Sequence, residues 1–431
     1  MKPRRKKWLI VSGAIVLSLG IWAVTWVRGA GEPPQFLTLA DGTKYRFGGA
    51  TWGTNQVPPF FAERLVYHLP AAISNWVQKN YGTNLGLSAT WQTAQPELQV
   101  WMDQIAGPAG QMFPITPARG LLADEHGVEA GMPYSYIGGF YPWESVTYSF
   151  VPRRSRTLEV HFYLNDSLSR PIRPQVGSVR FRNPLYRNYP QWQPETLPST
   201  KAAGDVQVTL TNCSIGNQQA NALETVFGLD LKQPFNTNEH WAIQNFEASD
   251  ATGNTISGDG YSIRNGGHEC SVAALFWPGE NAIRLKIWLK RTEGFSSNES
   301  LTVTNLPLPL PNATSGVAIT NRIDGHLVLM RNFVKPRPQF AGRWQIYEGV
   351  RPFPFQISMV MEDQSPNLLA EIQSVKTDFG ELLPNYESRR QPDGESRNFE
   401  SFPQGAKGLS VTITVQQLRT VEFLVKPPNP K

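Results

Sequence analysis

The chain has 431 residues, of which 17% are charged, and it contains 36 glycines and 35 prolines. This length allows several complete cores, and the composition favours short strands joined by turns over long helices. The net charge of +5 comes from the amino terminus, since the other 34 basic residues are balanced by 35 acidic ones. No excess of positive charge remains for nucleic-acid binding, so that function is excluded.

The first predicted element is a membrane anchor. Residues 8–27 carry no charge and follow a strongly basic segment, residues 1–7. Twenty residues of helix span about 30 Å, the hydrocarbon thickness of a bilayer. The basic segment predicts a cytoplasmic amino terminus and an extracytoplasmic remainder, as in a single-pass protein of the cell membrane. The alternative is export followed by cleavage of a signal peptide, although Arg28 lies close to the possible cleavage site.

A first unit is predicted over residues 36–183. It opens with a hairpin at Asp41-Gly42, a pair typical of tight turns. A helical insertion is expected at 60–79, where apolar residues recur at a spacing of four, and Pro70 should kink it. These apolar residues are Phe61, Leu65, Leu69, Ile73 and Val77.

An aromatic passage follows at residues 134–148. Tyr136, Tyr141 and Trp143 could stack on sugar rings or on a partner protein. The same residue types are also strong strand formers, and this second interpretation makes them part of a sheet and its core. Arg153, Arg154 and Arg156 then form a small basic turn, for which a solvated loop is expected.

Proline-rich residues 184–204 predict an extended linker. The middle unit is expected at 205–305, where apolar residues alternate with polar ones from Val206 to Leu210 and again from Ile283 to Leu289. Several short strands without intervening helices favour an antiparallel sandwich. Both cysteines, Cys213 and Cys270, fall in this unit. They either form a disulfide, which an oxidising compartment would allow, or remain two buried thiols.

A second proline-rich linker is predicted at residues 306–316, and a third unit at 317–431. The sequence places its last two strands at Leu409–Val415 and Val421–Val425, both within this unit. The three units are interpreted as copies of one another because two markers share a period. Acidic turns begin at positions 124, 250 and 378, and alternating strands are centred on Val160, Ile287 and Ile413.

The layout resembles uncharacterised bacterial membrane-anchored proteins built from repeated immunoglobulin-like β-sandwich domains. The residues that carry the resemblance are Asp250 to Gly253, the shorter form Asp378 to Gly380, and the opening LADGTKYRFGGATWGTN. It implies a mainly β fold of three such sandwiches behind a transmembrane helix. It implies no activity, because the group has no assigned chemistry.

The sequence shows no motif for a nucleophile elbow, a phosphate loop or a zinc protease. Residue types that bind metals are grouped at Asp124-Glu125-His126 and at His268-Glu269-Cys270. Neighbouring side chains on a strand point to opposite faces, which argues against either group binding one metal ion. Calcium at Asp250, Asn254 and Asp259 competes with a simple Asx turn. We therefore predict no metal or cofactor.

Three functions follow from these observations. The leading one is a non-enzymatic extracytoplasmic protein that binds a partner or forms an envelope scaffold, with an envelope protein or a polysaccharide as possible partner. The second is a carbohydrate-binding surface protein that uses the aromatic passage. The third is a hydrolase with its site between units, near Asp124 and His126.

Overall fold

A computed structural model describes most of the chain after residue 34. The described residues are 35–38, 42, 44–56, 91–106, 118–129, 138–140, 143–165, 171–217, 223–233, 238–258, 263–264, 268–272, 276–277, 279–308, 318–333, 355–362, 365, 367–384, 387–391, 394–399 and 405–428. Every regular element within these ranges is a strand, and all strand pairs are antiparallel. The prediction of a mainly β protein is confirmed. The predicted anchor at 8–27 and the helical insertion at 60–79 lie outside these residues.

Eight strands form the first pair of sheets. They are β1 (Phe36–Thr38), β2 (Lys44–Gln56), β3 (Trp91–Ala106), β4 (Ala118–Ala123), β5 (Gly138–Phe140), β6 (Trp143–Tyr148), β7 (Thr157–Asn165) and β8 (Pro171–Arg182). One sheet has the order β1-β2-β3-β6-β5 and the other β4-β7-β8. Leu98, Val146, Val160 and other buried side chains from both sheets form a common core.

The next eight strands belong to the middle pair. They are β9 (Ser199–Ala203), β10 (Val206–Asn217), β11 (Leu223–Lys232), β12 (His240–Asp250), β13 (Thr255–Gly258), β14 (Ile263–Arg264), β15 (Glu269–Val272) and β16 (Ile283–Glu293). β9 occupies the end of the predicted linker and pairs with β10. The five-stranded sheet has the order β14-β15-β11-β10-β9, the same arrangement as in the first pair.

The described residues after β16 contain nine further strands. They are β17 (Ser300–Pro307), β18 (Ala318–Ile323), β19 (His326–Phe333), β20 (Phe355–Met361), β21 (Leu368–Thr377), β22 (Glu387–Gln391), β23 (Gly394–Phe399), β24 (Gly408–Gln417) and β25 (Arg419–Val425). The third five-stranded sheet has the order β18-β19-β20-β23-β22, which repeats the arrangement once more. The second sheets are β13-β12-β16-β25 in the middle pair and β17-β24-β21 in the third.

The three central strands named by the sequence occupy matching places. Each lies beside the strand that precedes an acidic turn: Val160 is opposite Leu122, Ile287 opposite Phe246, and Ile413 opposite Ile372. All six side chains are buried. The strand period therefore corresponds to one repeated topology.

The turns match less directly than the sequence indicated. Asp124 and Asp250 each accept backbone hydrogen bonds from residues two and four positions later. In the third turn Thr377 takes this position, since its carbonyl accepts from Gly380 and its hydroxyl accepts from Glu381 N at 3.0 Å. The assignment of Asp378 as the first residue of this turn is corrected by one residue, because a threonine hydroxyl replaces the aspartate carboxylate.

The chain exchanges two strands between the middle and third pairs. In the first pair, β8 follows β7 and pairs with it, and Val160 is opposite Val179. In the middle pair the strand that follows β16 is β17, yet β17 pairs with β24 of the third sheet. The last strand, β25, returns to pair with β16, and Val421 is opposite Ile287.

This exchange corrects the predicted third unit, to which the sequence assigned both closing strands. Val421, Phe423 and Val425 are buried in the middle core instead. It also moves Leu301–Asn305 out of the predicted middle unit. The alternation of apolar and polar residues predicts where a strand lies, because it depends only on neighbouring positions. It does not predict which other strand that strand pairs with.

Polar contacts join the sheets where the exchanged strands cross. Arg291 N donates to Gln416 Oε1 at 2.7 Å, and Gln416 Nε2 donates to the Arg291 carbonyl at 3.0 Å. The Arg291 guanidinium binds Glu239 and Glu299, and Lys290 pairs with Glu371 at 2.8 Å. Arg291 is 9% exposed and Glu371 is 5% exposed, so these two charges lie largely away from water, where removing a partner is costly.

Candidate functional site

The candidate site lies where the first sheet pair meets the middle one, at the turn after β12. Asp250 is buried, and its Oδ1 accepts from Thr252 N at 2.9 Å, Thr252 Oγ1 at 2.7 Å and Asn254 N at 3.0 Å. Its Oδ2 accepts from Asn254 Nδ2 at 2.7 Å. Four donors fix the carboxylate in this turn, and Gly253 provides the required left-handed backbone with φ of 95°.

This turn binds the segment between β6 and β7. Asn254 Nδ2 donates to the Val151 carbonyl at 2.8 Å, and Val151 N donates to Asn254 Oδ1 at 3.1 Å. Arg153 Nη1 donates to the Thr252 carbonyl at 2.8 Å. A buried amide that satisfies both backbone groups of one residue holds the two sheet pairs in a defined register.

Aromatic side chains pack together at the same junction. Phe150 precedes the first pair's β7 but belongs to the middle core, where its ring meets Phe276 edge-on at 5.2 Å and stacks with Trp277 at 6.3 Å. Such pairs add about 0.5–1.5 kcal/mol beyond the burial of area. The first sheet pair therefore contributes a side chain to its neighbour's core.

A buried ion pair crosses the junction. Arg154 Nε donates to Glu280 Oε1 at 2.9 Å, and Glu280 is 5% exposed. Burial and, to a smaller extent, the negative charge of Asp250 raise the pKa of Glu280, the contact with Arg154 opposes them, and the resulting pKa is about 7. Glu280 Oε2 is one of the buried atoms without a hydrogen-bond partner among the described residues, as are Arg153 Nε and Trp277 Nε1.

This arrangement can bind and release a proton near neutral pH. Protonation of Glu280 removes one buried negative charge beside Asp250 and weakens the ion pair with Arg154. Arg154 also donates to the carbonyls of Tyr189 at 3.2 Å and Pro190 at 2.5 Å. Arg154 therefore joins Glu280 to the 184–198 segment.

The 184–198 segment has no regular secondary structure, but hydrogen bonds and side-chain packing attach it to both sheet pairs. Asn183, which is buried, donates to the carbonyls of Pro152 and Ser155 and accepts from Leu185 N. Farther along, Arg284 lies over the Trp192 ring at 5.4 Å. This part of the predicted linker is thus extended and packs against the sheets.

A second titratable pair lies on the outer face of β7. His161 Nδ1 is 2.6 Å from Glu129 Oε1, and Tyr163 Oη donates to the same oxygen. His161 Nε2 lies 3.5 Å from Glu159 Oε1. The hydrogen bond with Glu129 raises the pKa of His161, although partial burial opposes the rise. The pair can switch charge, but no nucleophile accompanies it among the described contacts.

The candidate metal residues are not brought together into a site. Asp124 Oδ1 accepts from His126 N and Val128 N, whereas the His126 side chain is 77% exposed. His268-Glu269-Cys270 enters β15, and Asp259 lies outside the described residues. Across the part of the chain that the structure describes, no group of three His, Cys, Asp or Glu side chains could hold a metal ion. The four hydrogen bonds to Asp250 favour the Asx turn.

The two cysteines are free thiols. Cys213 on β10 is opposite Phe227 on β11, and Phe227 is opposite Cys270 on β15. One strand therefore separates them by about 10 Å, twice the spacing of neighbouring strands. A disulfide needs Cα atoms within about 7 Å, so the disulfide alternative is corrected. Burial raises the pKa of each thiol to about 12.

The aromatic passage is described only in part. Tyr136 and Tyr141 lie outside the described residues. Trp143 begins β6, where it is opposite Asp103 on β3 and Phe140 on β5. The stacking surface predicted from these three residues stays a prediction.

Among the described residues, no helix is long and apolar enough to cross a bilayer, and the predicted anchor at residues 8–27 lies outside them. Comparison with known proteins gave no matching family model, no similar curated protein and no similar solved structure.

The sequence patterns do not predict this junction. They place Arg154 in a solvated basic turn and assign no role to Glu280. A signal was present, because Phe150 and Phe276 are 126 residues apart and each is followed by a proline two positions later. At the same offset the repeat carries arginine in one copy and glutamate in the next, and these two residues form the ion pair.

Proposed function

We propose that the chain is a non-enzymatic, membrane-anchored extracytoplasmic protein whose immunoglobulin-like sandwiches act as a binding surface or scaffold in the cell envelope. The observation that carries the proposal is the reciprocal exchange of β17 and β25, which ties two sheet pairs together. The junction at Asn254 ties the first pair to them. A chain joined in this way suits a structural or presenting role.

The anchoring part of the proposal rests on residues 8–27. A carboxy-terminal epitope tag should be digested by protease added to intact spheroplasts and should stay with membranes after alkaline washing. A second chain that lacks residues 8–27 but carries a cleavable export signal should be released as soluble protein. Protection of the tag in intact spheroplasts would contradict the proposal, and release of the unaltered chain would indicate cleavage instead.

Two alternatives carry less support. A hydrolase centred on Asp124 and His126 conflicts with the use of the Asp124 carboxylate in its own turn. Carbohydrate binding by Tyr136, Tyr141 and Trp143 is tested by Trp143→Ala in the full-length chain. Loss of polysaccharide binding in that variant, with binding kept in Trp192→Ala, would favour the second function over the first.

A further inference from the structure

A cluster of arginines and a tyrosine occupies one corner of the first sheet pair. Arg182 ends β8, Arg156 precedes β7, and Tyr186 and Arg187 open the irregular segment beyond β8; we name these four residues the basic corner. All four are exposed, and Tyr186 is 42% exposed. They are neighbours because Asn183 N donates to the Arg156 carbonyl at 3.0 Å and Tyr186 N donates to the Asn183 carbonyl at 3.3 Å.

Three of the four side chains of the basic corner, those of Arg156, Tyr186 and Arg187, are held in place before any ligand binds. Arg156 Nε donates to Tyr186 Oη at 3.2 Å, and its guanidinium lies 5.6 Å from the Tyr186 ring. Arg187 lies 4.8 Å from the Tyr189 ring, whose hydroxyl donates to the Leu185 carbonyl at 2.8 Å. Side chains fixed in this way lose little entropy when they bind.

The positive charge of this corner is only partly balanced. Glu125 lies near Arg156 and accepts its backbone N–H at 2.9 Å. Among the described residues, no ion pair joins Arg182 or Arg187 to a carboxylate. Arg180, on the same face of β8, uses one guanidinium nitrogen for Thr157 Oγ1 at 3.1 Å. The chain after residue 28 has 34 basic and 35 acidic residues in total, so the positive charge of this corner is a local feature.

We propose that the basic corner binds an anionic polysaccharide that carries carboxylate groups. Guanidinium groups are planar, weakly hydrated and matched to carboxylates through paired hydrogen bonds. A half-exposed tyrosine offers a ring edge and hydroxyl against which a sugar packs. Alternating arginine and aromatic groups therefore fit a chain of acidic sugars. The inference rests on the proposed binding role and gives it a ligand class.

The test measures binding of full-length chain, held in nanodiscs of neutral lipid, to immobilised alginate, a polymer of uronic acids. The variant Arg156→Gln, Arg182→Gln, Arg187→Gln should bind about tenfold more weakly or worse, because its paired contacts are lost. A control with the same change in charge, Lys232→Gln, Arg331→Gln, Lys376→Gln, alters exposed residues elsewhere and should bind as the unaltered chain does. Tyr186→Phe removes only the hydroxyl and tests its part in alginate binding. Tyr186→Ala removes the ring as well and tests the part of the ring.

Several outcomes would overturn the inference. Equal weakening in both triple variants would mean that alginate responds to net charge alone. Binding of vesicles with anionic lipid, without binding of alginate, would assign the corner to a membrane surface. Equal binding of alginate and neutral dextran would exclude recognition of carboxylates. Absence of alginate binding overturns this ligand class and leaves the anchoring result untouched, so the two proposals fail separately.

Discussion

The first sheet pair and the middle one have the same strand order but are completed differently. The first closes with β8, which follows β7 along the chain and packs Val179 and Phe181 into its core. The middle one closes with β25, which follows β24 and arrives from the third pair. The same architecture is thus local in one copy and dependent on distant residues in the next. We expect this difference to determine which parts of the molecule can fold alone.

Removing residues 419–431 should have the largest effect. The middle core loses Val421, Phe423 and Val425, and one edge of β16 loses its partner strand. We expect amide hydrogen exchange to become fast in β10, β11 and β16, while β4, β7 and β8 stay protected. A chain that ends after Pro428 keeps β25 and is the control. If the amides of β16 stayed protected in the shorter chain, the pairing of β25 with β16 would not be needed to stabilise the middle core.

Phe423→Ala tests the same dependence with one side chain. Phe423 is fully buried, and truncating a buried phenylalanine costs about 3–5 kcal/mol. The loss should be seen as faster exchange in β10 and β16, more than 100 positions earlier in the chain. Phe181→Ala is the matched variant in β8 and should loosen the first core instead. If both variants loosened the same strands, the two cores would not be separate cooperative units.

These two experiments also mark how far the sequence could predict the fold. Period-two alternation located β16 and β24 closely, and the spacing of Val160, Ile287 and Ile413 predicted equivalent strands. Alternation could not show that β17 and β25 change partners, because a strand carries the same pattern beside either neighbour. The ion pair of Arg154 with Glu280 was hidden for a related reason. Two residues 126 positions apart become neighbours only through tertiary packing.

Glu280→Gln tests the junction between the first and middle pairs. The pKa of Glu280 is raised from its ordinary value of 4.5 to about 7, so the folded state binds a proton more tightly than the unfolded state. Its stabilising contribution is complete below pH 4.5 and is lost as pH rises through about 7. We expect the free energy of unfolding of the unaltered chain to fall over this range, relative to the variant, by on the order of 2–3 kcal/mol.

The measurement for Glu280→Gln is a series of urea titrations from acidic to mildly alkaline pH. Arg154→Gln should raise the pKa of Glu280 further, since it removes the opposing positive charge, and should move the fall to higher pH. Glu371→Gln, at the crossing of the exchanged strands, is a control for a carboxylate that pairs with Lys290. Parallel pH profiles for the unaltered chain and Glu280→Gln would refute the assignment.

Asp378→Ala should have the smallest effect and sharpens the comparison of the three turns. Asp378 is exposed and accepts one long hydrogen bond from Lys407 N at 3.2 Å. We expect a change below about 0.5 kcal/mol, typical of surface positions. Thr377→Ala removes the hydroxyl that accepts from Glu381 N and should cost about 1 kcal/mol. The reverse order, measured by urea unfolding of the two variants, would restore Asp378 as the counterpart of Asp124 and Asp250. Asp378 would then stabilise the third turn through contacts that differ from those of Asp124 and Asp250.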